Sequence, residues 1–478
     1  MNENLRLPIE FLESLPKVNC QDVDVLLEDA LNSLNKKIIV LDDDPTGVQT
    51  VHDISVFTDW SVESIEKGFK EKQPMFFILT NSRGFTAEET EKAHKEIATN
   101  ILSVSSKLNR EFIIISRGDS TLRGHYPLET SVLKETIEMD SEMMVDGEVI
   151  LPFFKEGGRL TVNNIHYVQH GQELVPAGET EFAKDRTFGY SKSDLGEWIE
   201  EKSNGEYKAK NTLYISIEQL RSLNIEKIAE QLVQVKHFNK VVVNAVDEVD
   251  VKIFTIALVQ AMNQGKNFLF RSAAALPKVI GGVTDKALLT REELVGQETG
   301  NGGLIIIGSH VKKTTEQLEE LKKLNEIEFI EFNSHLVLHP DQFQKECERV
   351  IEMTESLIRS GRTVAVYTSR ERLDLGENKK EEELKLSVAI SDAVTSIVTR
   401  LQVRPNFLIA KGGITSSDVG TKGLKVKRAT VAGQIRPGIP VWKLGNESKY
   451  PDMSYVIFPG NVGTKSDLKE VTQTLNNG

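Results

Sequence analysis

"IIVLDDDPTGVQT", residues 38–50, runs β-branched and aliphatic residues straight into three carboxylates, a proline, a threonine and a glycine. An unbroken apolar run of this length reads as a strand covered on both faces. Asp42, Asp43 and Asp44 then fall at its carboxyl end, where three adjacent like charges repel and resist desolvation. A wet acidic turn relieves them, and so does a site that supplies cations and hydrogen-bond donors. This stretch alone leaves both readings open.

The same rhythm continues outward from it. Strand-like runs recur at "ISVFTDW", "MFFILTNSRG", "FIIISRGDS", "VVVNAV", "FLFRSAA", "LIIIGS", "TVAVYTSR", "NFLIAKGG" and "SYVIFPGN". Helix-like segments lie between several of them, which predicts an α/β fold with largely parallel sheets. Residues 21–36 carry apolar side chains at helical spacing, and two further helix starts show a capping-box pattern, Thr86 to Glu89 and Thr314 to Gln317. The polar, glycine-ended segment 282–303 precedes a fresh strand and marks a domain boundary. The predicted organisation is a helical lead-in over 1–36, a first domain over 37–290, a linker over 291–303 and a second domain over 304–478. Each domain is read as a parallel or mixed sheet flanked by helices, with the active site in the cleft between them. Residues 151–191 have several glycines and little apolar periodicity, so they read as a long irregular segment of the kind that is functional or mobile.

Bulk properties narrow the function classes. At 478 residues the chain exceeds one ordinary core, and 39% hydrophobic with 27% charged residues is a globular balance. No apolar run approaches the roughly 20 residues of a membrane span. The opening residues are acidic and polar, unlike a secretion signal, so the expected location is cytoplasmic with no membrane partner. A net charge of -13 argues against broad nucleic-acid binding but leaves room for a small anion in a local basic pocket. Cys20 and Cys347 stand far apart, without a thiol or histidine at metal spacing, so neither a disulfide framework nor a zinc site is suggested.

In open α/β sheets ligands bind beyond the carboxyl ends of the strands. In the first half those ends offer carboxylates and arginines. "DDDPTG" presents Asp43, Asp44 and Thr46, with Gly47 permitting close backbone approach to a ligand. "TNSRG" adds Asn81, Ser82 and Arg83, and "RGDSTLRG" (117–124) adds Asp119, Ser120, Thr121 and Arg123. An arginine grips a carboxylate through two parallel hydrogen bonds, and an aspartate beside it orients or deprotonates a hydroxyl. "DDDPTG" also reads as a solvated acidic turn, and "RGDSTLRG" as a self-bonded turn beside a surface arginine. The second half offers glycine turns instead: "AKGGITSSDVG" (410–420), "GQIRPGIPVWKLG" (433–445), "FPGNVGTKSDL" (458–468), and Ser309 in "GSH". Such turns let backbone N–H groups converge on phosphate oxygens. No GxxxxGK[ST] loop is present, and His52, His125, His166, His170 and His310 do not cluster in sequence.

A competing pattern occupies the opening stretch. An apolar strand followed by Asp-x-Asp-x-Thr is the nucleophile signature of haloacid-dehalogenase-like phosphatases, in which Asp42 would attack phosphorus and Asp44 would act as acid and base. "RGDSTLRG" supplies one aspartate and no second acid behind it to hold magnesium. That reading also leaves the final ~175 residues, a domain-sized piece, without a role.

Taken together, these residues resemble the four-carbon acid sugar kinases. The likeness lies in Asp43, Asp44, Thr46 and Gly47, in Asp119 to Gly124, in "GRLTVNNIHYV" and "VPAGETEFAKD", and in the C-terminal glycine turns. It covers nearly all of the chain beyond the first ~35 residues. The resemblance implies ATP-dependent phosphorylation of the terminal hydroxyl of a sugar acid such as threonate, erythronate or 3-oxotetronate. It further implies an N-terminal domain for the acid, a C-terminal domain for nucleotide, and Mg2+ accompanying ATP. Carried over, Asp43, Thr46, Arg83, Ser120 and Arg123 bind substrate, Asp44 and Asp119 are the candidate bases, and Ser309, Gly412, Gly413, Thr415, Gly460 and Gly463 bind ATP. The chain departs from the pattern at Arg117, at His125 and at Ile414, where the family often has lysine, asparagine and an acid; Asp418 is a candidate substitute for the last. Pro45 and Gln49 also set its first motif apart. The implied partners are a small sugar acid and ATP, with homo-oligomerisation left open. A non-catalytic metabolite or nucleotide sensor is the remaining alternative.

Overall fold

Lys37–Asp42 form the strand expected from the opening stretch, and every one of its residues is buried. The reason is its place in the sheet, because it pairs in parallel with Phe112–Arg117 on one side and Met75–Leu79 on the other. The structure, a computed structural model, describes residues 6–296, 300–371 and 380–476. These divide into two units, one of residues 1–47 and 59–285, the other of 48–58 and 286–478. Residues 48–58, which the sequence reading keeps in the first domain, therefore group with the second.

In the first unit seven parallel strands among the described residues lie in the order Leu213–Ile215, Asn239–Val243, Gly147–Leu151, Phe268–Ser272, Phe112–Arg117, Lys37–Asp42, Met75–Leu79. Helices connect them, as parallel pairing requires. The helix Ala87–Leu108 starts at Thr86 with the expected reciprocal cap from Glu89. Cys20–Ser33, the helix of the lead-in, packs on Glu248–Asn263, an almost wholly buried helix, so the lead-in belongs to this unit's core. The segment expected to be irregular, 151–191, holds three short strands, Arg159–Val162, Ile165–His170 and Glu173–Pro176, which form an antiparallel sheet with Leu7–Pro8. The first turn between them uses Asn163 and Asn164 and the second Gly171, all at positive φ, while Gly158, also at positive φ, leads into the first strand.

The second unit is a mixed sheet. Five parallel strands run in the order Ser454–Phe458, Leu408–Lys411, Leu304–Ile307, Thr363–Thr368, Ile327–Phe332. The hairpin of Arg428–Arg436 and Ile439–Leu444 extends it antiparallel, and Ser55–Phe57 pairs with the hairpin's outer strand. The core of this unit gathers Ile305, Ile307, Ile409, Val441, Val456 and Phe458 from the sheet and Leu318, Leu321, Leu468 and Leu475 from helices.

The second capping box does not exist. Lys312–Leu321 begins two residues ahead of Thr314, and its N-cap is Val311, whose side chain caps nothing. Thr314 and Gln317 are buried inside the helix, on one face, because residues three apart share a face as readily as they share a cap.

Candidate functional site

The strand order of the first unit brings the polar strand ends together. Asp42 lies level with Arg117, and Arg117 with Ser272. Asp42 is 1% exposed and accepts a hydrogen bond from Arg117 Nη1 at 3.3 Å. Burial outweighs the pull of Arg117 and pushes its carboxyl up to about 8, with Asp43 and Asp44 adding to the push. A Cβ on Gly47 would fall 1.9–2.2 Å from the Asp42 carboxylate. Gly47 therefore admits the strand's own carboxylate where a ligand was expected.

Arg83 organises the other two acids. It stands on a short turn, Ser82–Gly84, entered through Asn81 at φ 56°. Its Nη2 and Nε donate to Asp43 Oδ1 and Oδ2 at 2.6 and 3.1 Å, and its Nη1 reaches Asp44 Oδ2 at 3.2 Å. The Asp43 side chain is 3% exposed and that of Asp44 15%, so of the two only Asp44 keeps appreciable access. Asp44 also accepts from the Thr46 amide at 2.8 Å, which closes the turn and assigns Thr46 a backbone role.

The loop "DSTLRG" is held from several directions. Asp119 accepts from Thr121 Oγ1 and from Arg123 Nε, the latter at 2.6 Å. Burial would raise the Asp119 carboxyl, but Arg83 and then Arg123 outweigh it and hold it well below the usual carboxylate range. Arg123, expected to grip a substrate carboxylate, is thus paired with Asp119, lies over the Phe182 ring and approaches Asp185 at 3.8 Å. The Ser120 carbonyl faces His166 Nε2 at 2.8 Å, and burial lowers that histidine to about 4, leaving it neutral at physiological pH. Leu122 sits at φ 68° and Gly124 at φ 126°, backbone that a leucine adopts only under constraint.

Three guanidiniums here were not singled out by sequence reasoning as site residues. Arg271 Nη2 donates to the Arg123 carbonyl at 2.7 Å, and a Cβ on Gly118 would fall 1.0 Å from its Nη1. Arg159, from the small antiparallel sheet, stacks over the same Phe182 as Arg123. Arg117 Nε, Arg159 Nε and Arg271 Nη1 are buried with no hydrogen-bond partner. An arginine inside an otherwise apolar strand run, as in "FIIISRGDS" and "FLFRSAA", is the signal that could have found two of them, since an unpaired buried charge is costly.

In the second unit a cavity of about 330 Å³ opens at the strand ends. Gly308, Ser309 and His310 line it after one strand, Gly412, Gly413, Ile414 and Thr415 after the next, and Ser387, Ser391 and Thr395 from the helix Lys380–Arg400. Gly412 is at φ 123°, and a Cβ there would press on Ser309. Arg370 Nη2 donates to the Ser309 carbonyl at 2.6 Å, and Arg370 makes no ion pair among the described residues. Asp418 is engaged by Ser391 at 2.7 Å and by Lys422. Of the six residues expected at nucleotide, Ser309, Gly412, Gly413 and Thr415 share this cavity. Gly460 touches Ser309 without lining the cavity, and Gly463 lies at the start of the last helix beside Asp467. Among the described residues no three His, Cys, Asp or Glu side chains are grouped as metal ligands. No described helix is long and apolar enough to cross a membrane.

Residues 38–280 match the model of a sugar-binding N-terminal domain and residues 304–468 that of a nucleotide-binding C-terminal domain. The class is thus a two-domain α/β protein with an N-terminal domain of the sugar-binding type and a C-terminal domain of the nucleotide-binding type. The chain belongs to the four-carbon acid sugar kinase family. Among solved structures, the Haemophilus influenzae protein HI1011, of the DUF1537 group, has a TM-score of 0.61 at 19% identity, covering 92% of this chain and all 100% of its own. A Salmonella typhimurium LT2 protein, provisionally named a tRNA synthase, has a TM-score of 0.64 at 16% identity, covering 91% and 98%. At these identities the likeness bears on the fold alone. No curated protein matches the chain.

Proposed function

We propose that this chain is a kinase that transfers the γ-phosphoryl group of ATP to the terminal hydroxyl of a four-carbon sugar acid in the cytoplasm. The observation that carries the reading is the set of guanidiniums at the strand ends of the sugar-binding unit, three of which keep a buried N–H without a partner. Buried donors of this kind favour an anionic ligand, and a carboxylate suits the arginine fork. Arg83 and Arg123 are the arms assigned to it; Arg123 would exchange its bond to Asp119 for the substrate.

Phosphoryl transfer asks the protein mainly for positioning and charge stabilisation. Asp44, the more open acid, is assigned to orient the hydroxyl and accept its proton. Asp119, held far down in pKa, is a poor base, and its role is to steer Arg123. In the nucleotide unit the glycine turns and Arg370 are assigned to the triphosphate. Magnesium is assigned to arrive on the phosphates, the usual mode for this cation.

The phosphatase reading fares worse, because its nucleophile, Asp42, is covered by Gly47 and holds a proton at neutral pH. The test is ADP formation by the full chain with MgATP across threonate, erythronate and their oxidised forms. Acid-dependent ADP release supports the kinase. Phosphate release from phosphoesters without ATP, or ligand binding with no turnover, refutes it in favour of the phosphatase or the sensor.

A further inference from the structure

Thr314, Gln317 and Lys411 are fully buried, come from two different elements of the nucleotide unit, and turn their hydrogen bonds on the same short segment, 459–464. Thr314 Oγ1 donates to the Gly460 carbonyl at 3.1 Å and contacts Ser309 Oγ at 3.2 Å. Gln317 Nε2 donates to the carbonyls of Val462 at 3.2 Å and Thr464 at 2.8 Å. Lys411 Nζ donates to the carbonyls of Pro459 and Gly460. Four carbonyls of one turn are thereby drawn inward. The amides of Gly460, Asn461 and Gly463 donate to nothing among the described residues, and Gly463 adopts φ 85°.

We propose that Thr314, Gln317 and Lys411 are positioning residues for the phosphates of the bound nucleotide: by gripping the carbonyls from within, they turn the amides of Gly460, Asn461 and Gly463 outward as an anion cradle beside Ser309. The inference rests on the nucleotide reading above and names what builds that site. A peptide plane has its N–H and C=O on opposite edges, so fixing the carbonyl of one residue aims the amide of the next. Successive amides aimed the same way hold a phosphate without a basic side chain. Arg370, which donates to the Ser309 carbonyl and makes no ion pair among the described residues, adds the positive charge that such an anion wants. Burial lowers Lys411 to about 6, so the amine acts here as a hydrogen-bond donor more than as a charge.

The test is calorimetric binding of MgATP and of adenosine to the full chain and to Thr314→Val, Thr314→Ser, Gln317→Leu and Gln317→Asn. The expected result is MgATP binding weakened about tenfold in T314V, Q317L and Q317N, with T314S near wild type, and adenosine binding unchanged. Equal weakening of adenosine and MgATP, or T314S losing as much as T314V, would mean that packing alone is at stake and would overturn the proposal. Unchanged MgATP binding in all four overturns it while leaving the kinase reading intact. If the wild-type chain does not bind MgATP, both fall. Should T314V or Q317L lose the fold by circular dichroism, T314S and Q317N decide the matter between them.

Discussion

Asp42→Asn keeps the shape of the side chain and an oxygen for Arg117 while removing the proton that titrates. In the folded chain the Asp42 carboxyl is raised to about 8, mainly by burial; in the unfolded chain an aspartate titrates near about 3.9. Between those values the native state holds a proton that the unfolded state has released. The stability this group contributes is full below about pH 4 and falls as pH rises through about 8, with a limiting slope of ~1.4 kcal/mol per pH unit. Asparagine has no such slope. Between about pH 5 and about pH 7 the variant should therefore gain up to ~2.7 kcal/mol on the wild type, and the gap should level off above about pH 8. Thermal unfolding of both proteins across that range, at fixed ionic strength, reads the divergence. Parallel curves, or a variant that is weaker throughout, would show that Asp42 is ionised when folded and that Arg117, not burial, governs it. The same variant separates the chemistries, since a phosphatase would lose its nucleophile whereas the proposed kinase keeps its turnover.

Other perturbations follow from the same geometry. Arg83→Met strands the buried Asp43 carboxylate and should cost about 3–5 kcal/mol in chemical unfolding at neutral pH, less in acid, where Asp43 can take up a proton; an equal cost at both pH values would contradict the pairing. Gly47→Ala drives a methyl into the Asp42 carboxylate and should leave the turn open to proteolysis, with partial recovery in the double variant Gly47→Ala/Asp42→Ala. Arg123→Ala should raise the KM for the sugar acid by a factor equivalent to about 2 kcal/mol while the KM for ATP holds, and Arg123→Lys should not restore it, because lysine lacks the fork. An unchanged acid KM would remove Arg123 from the substrate site.

The strands were legible because their evidence is local. Runs such as "LIIIG" and "MFFIL" are apolar without polar interruption, and both are wholly buried strands. Thr86 and Glu89 were legible for the same reason, since a cap is complete within one turn of chain. Thr314 and Gln317 show the limit of such reasoning. Their spacing is identical, and only the 459–464 turn packed against that helix makes them inward-facing donors. The strands within 151–191 were hidden because they are short, glycine-punctuated and paired with one another and with Leu7–Pro8, 165 or so positions away from their partner.

The sequence by itself determined the α/β alternation and the contrast between an acidic, arginine-bearing half and a glycine-bearing one, because hydrophobic period and turn chemistry act over a few residues. Only the tertiary structure decided who holds whom: Arg83 on Asp43, 40 positions back, Arg117 on Asp42, 75 back, and Arg271 on the loop at Arg123, 148 back. Those partnerships arise from the order in which the strands lie side by side, and strand order is set by the packing of the whole sheet, which no local window contains.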